Sequence, residues 1–178
     1  MGSEPMETYV LAVSTGREEY MKELLKTYAP LRDRRIWIPM RTLHIMAEGE
    51  RKLIRKPLLP GYLLVDAGDY DALRDVLKKF RVKSYSMILG KNTDTGEDVP
   101  LRTVSEKEKE WIRRLTGEAI PKAVIVDEKI HFTDGPMAGM DGYVVKYDRK
   151  KGNCLVKMEM FGRDVEIWVG VEVLDGKV

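Results

Sequence analysis

The sequence contains little of what many functional sites require. Its 178 residues include a single cysteine, Cys154, so no intrachain disulfide can form, and its two histidines, His44 and His131, offer little for a metal site. No apolar run approaches the roughly 18–20 residues that a membrane-spanning helix needs. Residues 1–7 also lack the apolar core of a signal peptide. We therefore expect a cytoplasmic protein that needs no metal or cofactor.

Excess charge of one sign is also lacking. There are 31 basic and 29 acidic side chains, which give a net charge of +2. This balance argues against a uniformly basic nucleic-acid-wrapping protein and against a ribosomal protein, because those are usually strongly basic. No nucleophile–base pair, metal-ligand spacing or cofactor loop is visible, so we expect no enzymatic activity. A hydrophobic fraction of 43% is enough for a folded core.

The first two thirds of the chain alternate β-rich runs with amphipathic helical patterns. A β-rich run at residues 9–13 precedes a helix with one apolar face, formed by Met21, Leu24 and Leu25. Thr15 and Glu18 have the spacing of a capping box at the start of that helix. The further predicted elements are strands at 36–39, 61–67 and 84–89, a hairpin with strands at 42–47 and 52–55, and helices over 69–80 and from about 105.

The pattern changes after a short linker that contains Pro121. Only short β runs separated by Gly, Asp or Asn follow, at residues 124–126, 129–132, 142–147, 153–160 and 165–169. Five such runs in succession are typical of a small β-barrel, which removes exposed sheet edges. The sequence therefore predicts an α+β domain over residues 6–117, a linker at 118–123 and a β-barrel domain over 124–178.

Basic residues form three clusters, of which the first is Arg32, Arg34, Arg35 and Arg41 and the other two supply candidate binding sites. The predicted hairpin carries Arg51, Lys52 and Arg55. The barrel domain carries a larger cluster, made of Lys146, Arg149, Lys150, Lys151, Lys157 and Arg163. Each of these two clusters fits a phosphate-binding surface, and each also fits a solvated surface that binds nothing.

Two motifs resemble those of a known family. Pro60-Gly61-Tyr62 follows the basic hairpin, where residue types alone also fit a strand entry with core side chains. Asp134-Gly135-Pro136 with Gly139 and Gly142 precedes Phe161-Gly162-Arg163 in the barrel domain, and alone it fits a structural turn. In this order, the motifs resemble the NGN and KOW domains of the NusG family of transcription elongation factors, from about residue 9 to about residue 174.

The resemblance implies a fold and a set of partners. The NGN domain would be an antiparallel sheet flanked by helices, and the KOW domain an SH3-like barrel. The NGN domain would bind the clamp helices of the large RNA polymerase subunit, with Tyr9, Leu59 and Tyr62 at the positions of family contact residues. The hairpin lies where family members approach upstream DNA and the non-template strand. Housekeeping members bind a termination factor or a ribosomal protein around the position of Phe161.

Departures from the housekeeping pattern point to a specialised subtype. Leu58 and Leu59 replace the usual aromatic pair, and residues 166–174 depart from the common strand ending. These features and the run at 147–151 look more like LoaP, an antiterminator subtype that binds a leader RNA hairpin. That resemblance implies a monomeric factor whose KOW cluster binds RNA. The alternatives are a general elongation and termination factor with a protein-binding KOW domain, and a ribosome-associated KOW protein.

Overall fold

The computed structural model describes residues 6–68, 70–79 and 103–174. The chain forms two compact units. The N-terminal unit combines Met1–Pro39 with Leu59–Ser105, and the C-terminal unit combines Met40–Leu58 with Glu106–Val178. The hairpin and the third helix thus lie in the C-terminal unit. The domain limits drawn from the sequence, 6–117, 118–123 and 124–178, stay a prediction.

Within the described residues, the N-terminal unit contains one antiparallel sheet and two α-helices. Its strands are β1 (Glu7–Ala12), β2 (Ile36–Trp37) and β5 (Tyr62–Ala67), in the order β1-β5-β2, and its helices are α1 (Glu18–Lys26) and α2 (Tyr70–Lys79). A short 3-10 helix at Ala29–Leu31 contains Pro30. These elements confirm the predicted strands at 9–13, 36–39 and 61–67 and both helices. The strand predicted at residues 84–89 lies outside the described residues.

One face of this sheet forms the core of the N-terminal unit. Tyr9 pairs with Val65 and Leu11 with Leu63, so all four side chains share a face. They pack with the apolar residues of the two helices, which are Met21, Leu25, Leu73, Val76 and Leu77. The helical spacing of these residues is what places them on the buried side of each helix.

The predicted capping box at the start of α1 is wrong. The N-cap residue of α1 is Arg17, and no side chain caps the helix there. Glu18 is buried instead, and its Oε1 accepts a hydrogen bond from the backbone N–H of Gly61 at 2.7 Å. A buried donor without a partner is costly. Bonding of Glu18 to the buried Gly61 N–H therefore stabilises the fold more than a cap at the exposed start of α1 would.

The C-terminal unit consists of a hairpin, a helix and two three-stranded sheets. The hairpin strands are β3 (Met40–Ala47) and β4 (Glu50–Pro57), and the helix is α3 (Glu106–Leu115). The remaining strands are β6 (Lys122–Val126), β7 (Lys129–Asp134), β8 (Val144–Asp148), β9 (Asn153–Met160), β10 (Arg163–Gly170) and β11 (Glu172–Val173). The two sheets have the orders β10-β9-β8 and β11-β6-β7.

These elements confirm a mixed α+β fold and the five predicted β runs, except that Gly142 and Tyr143 belong to a short 3-10 helix, Asp141–Tyr143, before β8. The sixth strand, β11, is two residues long and pairs in parallel with β6. Along β9, Cys154, Val156, Met158 and Met160 are buried, as their period of two predicts. Burial raises the pKa of Cys154 to about 12, so its thiol stays protonated. Among the described residues, no helix is both long and apolar enough to cross a membrane.

Candidate nucleic-acid interface

The β3–β4 hairpin projects its basic residues from a two-residue turn. Glu48 and Gly49 have φ values of 56° and 83°, so the turn needs left-handed backbone at both positions. That geometry matches the twist of the flanking strands, and Gly supplies it without a Cβ penalty. The register pairs His44 with Leu53 and Met46 with Arg51, so these four side chains share one hairpin face.

Arg51 attaches this face to the connection between β8 and β9. Its Nε donates to the backbone oxygen of Lys150 at 2.9 Å, and its Nη2 donates to that of Arg149 at 2.6 Å. Charge-assisted bonds of this kind are among the stronger hydrogen bonds in proteins. Arg51 of the hairpin and part of the barrel-domain cluster, which are about a hundred positions apart in the chain, therefore meet in one surface.

Asn153 and His44 make a second attachment beside the first. The Asn153 side chain accepts from the His44 backbone N–H at 2.8 Å and donates to the His44 backbone oxygen at 2.9 Å. The buried Asn153 amide thus pairs with both backbone polar groups of His44, as the backbone of an adjacent β-strand would. His44 Nδ1 also lies 2.8 Å from the backbone oxygen of Gly152. Because a carbonyl can only accept, this contact places the imidazole proton on Nδ1.

The other two predicted hairpin cations have carboxylate partners. Lys52 Nζ lies 2.8 Å from Glu48, and Arg55 lies 3.6 Å from Glu118. All four side chains are exposed. Exposed ion pairs stabilise a fold by only about 0–1 kcal/mol, so a phosphate can replace the carboxylate at little cost.

The turn between β8 and β9 presents three consecutive exposed cations, Arg149, Lys150 and Lys151. Asp148 shapes this turn, because its carboxylate accepts from the backbone N–H of Lys151 at 3.0 Å. Lys146 is exposed on the preceding strand. These four residues lie at the end of the sheet that contacts the hairpin, and we define them together with Arg51 as the basic surface.

Lys157 and Arg163 lie away from that surface. Lys157 is in the second half of β9, next to Asp164 at 3.2 Å and opposite Glu166 in the register. Arg163 begins β10, after the turn at the far end of β9. The six barrel-domain cations that the sequence groups together thus occupy two ends of one sheet.

Phe161, the predicted site of a protein partner, is half-buried in that far turn. Its φ of 53° is left-handed, and its backbone N–H donates to Glu108 Oε1 of α3 at 2.7 Å. Helix α3 therefore contacts the Phe161-Gly162-Arg163 turn. Glu108 itself is buried, with 5% of its surface exposed.

The three predicted polymerase-contact residues do not share a surface. Tyr9 is 7% exposed in the core of the N-terminal unit. Tyr62 pairs with Ala12 and so lies on the other sheet face, beside Leu64 and Val10 in the ladder. Tyr62 and Leu59 are both half-buried. A contact through Leu59 and Tyr62 stays a prediction, whereas Tyr9 supports the sheet from its opposite face.

Sequence reasoning missed His44, Asn153 and Arg41 as residues that position the basic surface. Arg41 donates to the backbone oxygen of Trp168 at 2.6 Å, and burial lowers its pKa below the ordinary value. Each of these contacts joins residues more than a hundred positions apart, so no local motif marks them. The one local indication of such a contact was Asn153, a polar residue at the start of a strand whose inward positions are otherwise apolar.

Comparison with known families identifies the chain. Residues 6–113 match the family described as transcription termination factor nusG. The chain belongs to the NusG family. Among curated proteins, it is 26% identical to the transcription termination/antitermination protein NusG of Chlamydia trachomatis, over 95% of this chain and 96% of that protein. It is 27% identical to the NusG of Treponema pallidum, over 88% and 91% of the two chains.

These NusG relatives extend beyond the matched family segment. The NusG of Thermus thermophilus is 26% identical over 91% of this chain and 94% of its own. The similarity thus includes the β-rich strands after residue 113 as well as the hairpin. The protein is a NusG-type transcription termination/antitermination factor.

Proposed function

We propose that this NusG-type factor is a specialised antitermination factor that promotes processive transcription of particular operons. Its NGN domain, residues 6–117, would bind the clamp helices of RNA polymerase, and its KOW domain, residues 124–178, would bind a hairpin in the leader RNA. The observation that supports the RNA contact is the pair of hydrogen bonds from Arg51 to the backbone of Arg149 and Lys150. These bonds join one hairpin cation, Arg51, to the turn cations in one basic surface.

The basic surface has the properties that double-stranded RNA requires. Double-stranded RNA is bound mostly through its shape, its phosphates and its 2′-hydroxyl groups. Arg149, Lys150 and Lys151 are exposed on a turn that Asp148 and Arg51 hold in place. Because the backbone of the turn is already fixed, binding a phosphate there costs less backbone ordering than it would on a mobile loop. Lys52 lies on the other hairpin face and adds only longer-range attraction.

The KOW assignment rests on the strand pattern. The sheets β10-β9-β8 and β11-β6-β7 have inward-facing apolar residues, among them Val156, Ile167, Ile130 and Phe132. Two small sheets, each with buried apolar side chains, are what a small closed barrel would contain. We propose that they form the SH3-like KOW fold.

The polymerase contact would involve Leu59 and Tyr62. Pro60 and Gly61 fix the corner before Tyr62, and Glu18 holds that corner through the Gly61 N–H. Binding across the clamp would favour the closed, processive state, so reduced pausing would be a population shift. Linking this contact to an RNA contact on one chain raises the effective concentration of each. A leader RNA then selects operons although the polymerase surface is common to all.

The experiment that tests the RNA contact is a gel-shift titration of the full chain at one fixed, moderate salt concentration. The leader hairpin of its own operon is compared with a scrambled hairpin of equal length. The test variant is Lys150→Glu/Lys151→Glu. The matched control is Lys78→Glu/Lys79→Glu, an exposed tandem lysine pair at the end of α2 in the N-terminal unit.

Tight binding of the leader hairpin alone, lost in the test variant and kept in the control, would support the proposal. Equal and weak binding of both RNAs by all variants, falling steeply with salt, would indicate phosphate attraction only. That result would favour a general elongation and termination factor, whose KOW domain binds a protein near Phe161.

Polymerase binding needs a separate measurement. Tyr62→Ala should weaken retention of the factor on core polymerase while leaving RNA affinity unchanged. Tyr20→Ala is the control, because Tyr20 is an exposed aromatic side chain on α1 of the same unit. Equal retention of the two variants would contradict a contact through Tyr62.

A further inference from the structure

An open groove lies beside the basic surface, within the C-terminal unit. Its volume is about 1000 Å³, and its lining includes Arg51 and Leu53 of the hairpin, Tyr147 and Arg149 of the barrel domain, and Glu172 of β11. Ligand-binding clefts in proteins have volumes of about 300–1000 Å³, so there is room for at least one nucleotide. The proposed function, RNA binding through phosphates, assigns no role to this groove.

The walls of the groove combine a flat aromatic ring with apolar side chains. Tyr147 is half-buried, and Val171, Val173 and Ile125 line the groove near it. Leu53 is 53% exposed, which is unusual for an apolar side chain in a strand. RNA-binding proteins stack unpaired bases on aromatic rings of this kind, since every base has an apolar face.

Two cations line the same groove. Arg149 is exposed, and Arg51 uses Nε and Nη2 for its carbonyl contacts, while Nη1 takes no part in those two bonds. A base inserted into the groove remains attached to its sugar and phosphate. The cations at the groove are therefore placed to bind the phosphate of the nucleotide whose base enters.

Glu172 is the one carboxylate among the lining residues, and it decides which base fits. A carboxylate only accepts hydrogen bonds, and it accepts two in parallel from neighbouring donors. Guanine alone presents two adjacent donors, N1–H and N2–H, on its pairing edge. Adenine, cytosine and uracil each place an acceptor beside their single donor group, and that acceptor would face the charged carboxylate.

We propose that this groove binds an unpaired guanine of the RNA, stacked on Tyr147 and bound at its pairing edge by Glu172. The inference rests on the proposed RNA-binding function and adds base specificity to it. It also explains how a surface made of phosphate-binding cations distinguishes one RNA hairpin from another, since phosphate contacts carry no sequence information.

Fluorescence anisotropy with the full chain tests this at one fixed salt concentration. The probes keep the stem of the leader hairpin and carry a uridine loop with a single guanine, inosine or adenine. The unmodified leader hairpin is the reference. The variants are Glu172→Ala, Tyr147→Leu and Arg149→Ala. Glu166→Ala is the control for loss of an exposed carboxylate, because Glu166 lies on β10, in the other sheet.

The parent chain should bind the guanine loop about ten-fold more tightly than the adenine loop, with inosine between them because it lacks the 2-amino group. Glu172→Ala should abolish this preference, and Glu166→Ala should keep it. Tyr147→Leu should weaken binding of the guanine loop in particular, because stacking is lost. Arg149→Ala should weaken the binding of all three hairpins, because it removes a phosphate-binding cation.

Equal affinity for the three loops, with the leader hairpin still bound, would overturn the guanine site and leave the proposed function intact. If the protein bound none of the hairpins, the leader hairpin included, both the guanine site and the proposed RNA-binding function would be overturned. Free guanosine monophosphate carries the same base without the RNA. If it saturated the protein at the concentration at which the hairpin binds, a mononucleotide would be the ligand and RNA would be ruled out as the source of the base.

Discussion

The Glu108 carboxylate accepts a hydrogen bond from the backbone N–H of Phe161, with 2.7 Å between Oε1 and N. Glu108 is buried on α3, and Phe161 has left-handed backbone in the turn between β9 and β10. The bond gives the main-chain N–H of a turn residue a buried carboxylate acceptor. It therefore connects α3 to the Phe161-Gly162-Arg163 turn.

Glu108→Ala should destabilise the C-terminal unit by about 1–3 kcal/mol, since it leaves a donor without this acceptor. Urea unfolding measures the loss, and NMR hydrogen exchange of the Phe161 amide should become faster. Glu106→Ala is the control, because Glu106 is exposed on the same helix and pairs only at the surface with Lys109. Equal losses in the two variants would show that the buried bond has no special role.

Gly61→Ala should destabilise the N-terminal unit more than Gly16→Ala does. Both glycines have a φ of 84°, so the backbone strain of an added Cβ, about 1–2 kcal/mol, is common to both. At Gly61 the Cβ would also lie 3.0 Å from the backbone oxygen of Val13, whereas nothing lies within 4 Å at Gly16. The difference between the free energies of unfolding of the two variants measures the cost of the contact with the Val13 oxygen. Equal free energies would contradict the close packing at the Pro-Gly-Tyr corner.

Asn153→Asp should destabilise the protein at neutral pH and less so in acid. The carboxylate keeps the acceptor for the His44 N–H but loses the donor to the His44 oxygen. Burial raises the pKa of the new carboxyl group above its ordinary value of about 4. Folding then favours the protonated form, which restores a donor, so the deficit grows as pH rises through that raised pKa. Urea unfolding of parent and variant at pH 7 and pH 4.5 measures this, and a pH-independent deficit would contradict it.

Glu110 should make the stability of α3 depend on acid pH. Hydrogen bonds from Arg113 and Arg114 lower the pKa of Glu110 from 4.5 to about 2. Because the folded-state pKa is depressed, the stabilisation is complete above the unfolded pKa and is lost as pH falls through about 2. The melting temperature of the parent should exceed that of Glu110→Gln at pH 7, and the two should converge near pH 2. NMR titration of the Glu110 carboxyl carbon measures the pKa directly, and a midpoint near 4.5 would contradict the two arginine contacts.

The sequence predicts elements whose pattern is local. The bounds of β9 follow from the alternation of Cys154, Val156, Met158 and Met160, and the hairpin follows from the Glu48–Gly49 turn. The family follows from two motifs in the correct order, and the match to residues 6–113 confirms it.

What the sequence could not predict depends on register and on distant partners. That Tyr9 and Tyr62 lie on opposite sheet faces follows only once Tyr9 is known to pair with Val65. Glu18 has capping-box spacing, yet its partner Gly61 is 43 positions away. The RNA-binding role of the six barrel-domain cations stays a prediction. Their separation could not be read from sequence distance, because Lys150 lies in the turn before β9 and Lys157 in the second half of that strand.

Charged side chains are unevenly distributed between the two ends of β9 in the C-terminal unit. Arg149, Lys150 and Lys151 precede the strand, and three acidic side chains, Glu159, Asp164 and Glu166, surround its second half. Lys157 and Arg163 offset two of those three negative charges, so this end is nearly neutral. Over the roughly 20 Å between the two ends, a polyanion is therefore attracted mainly at the end with Arg149, Lys150 and Lys151. An approaching RNA would be rotated before it touches the protein, so that the first collision more often involves the hairpin side.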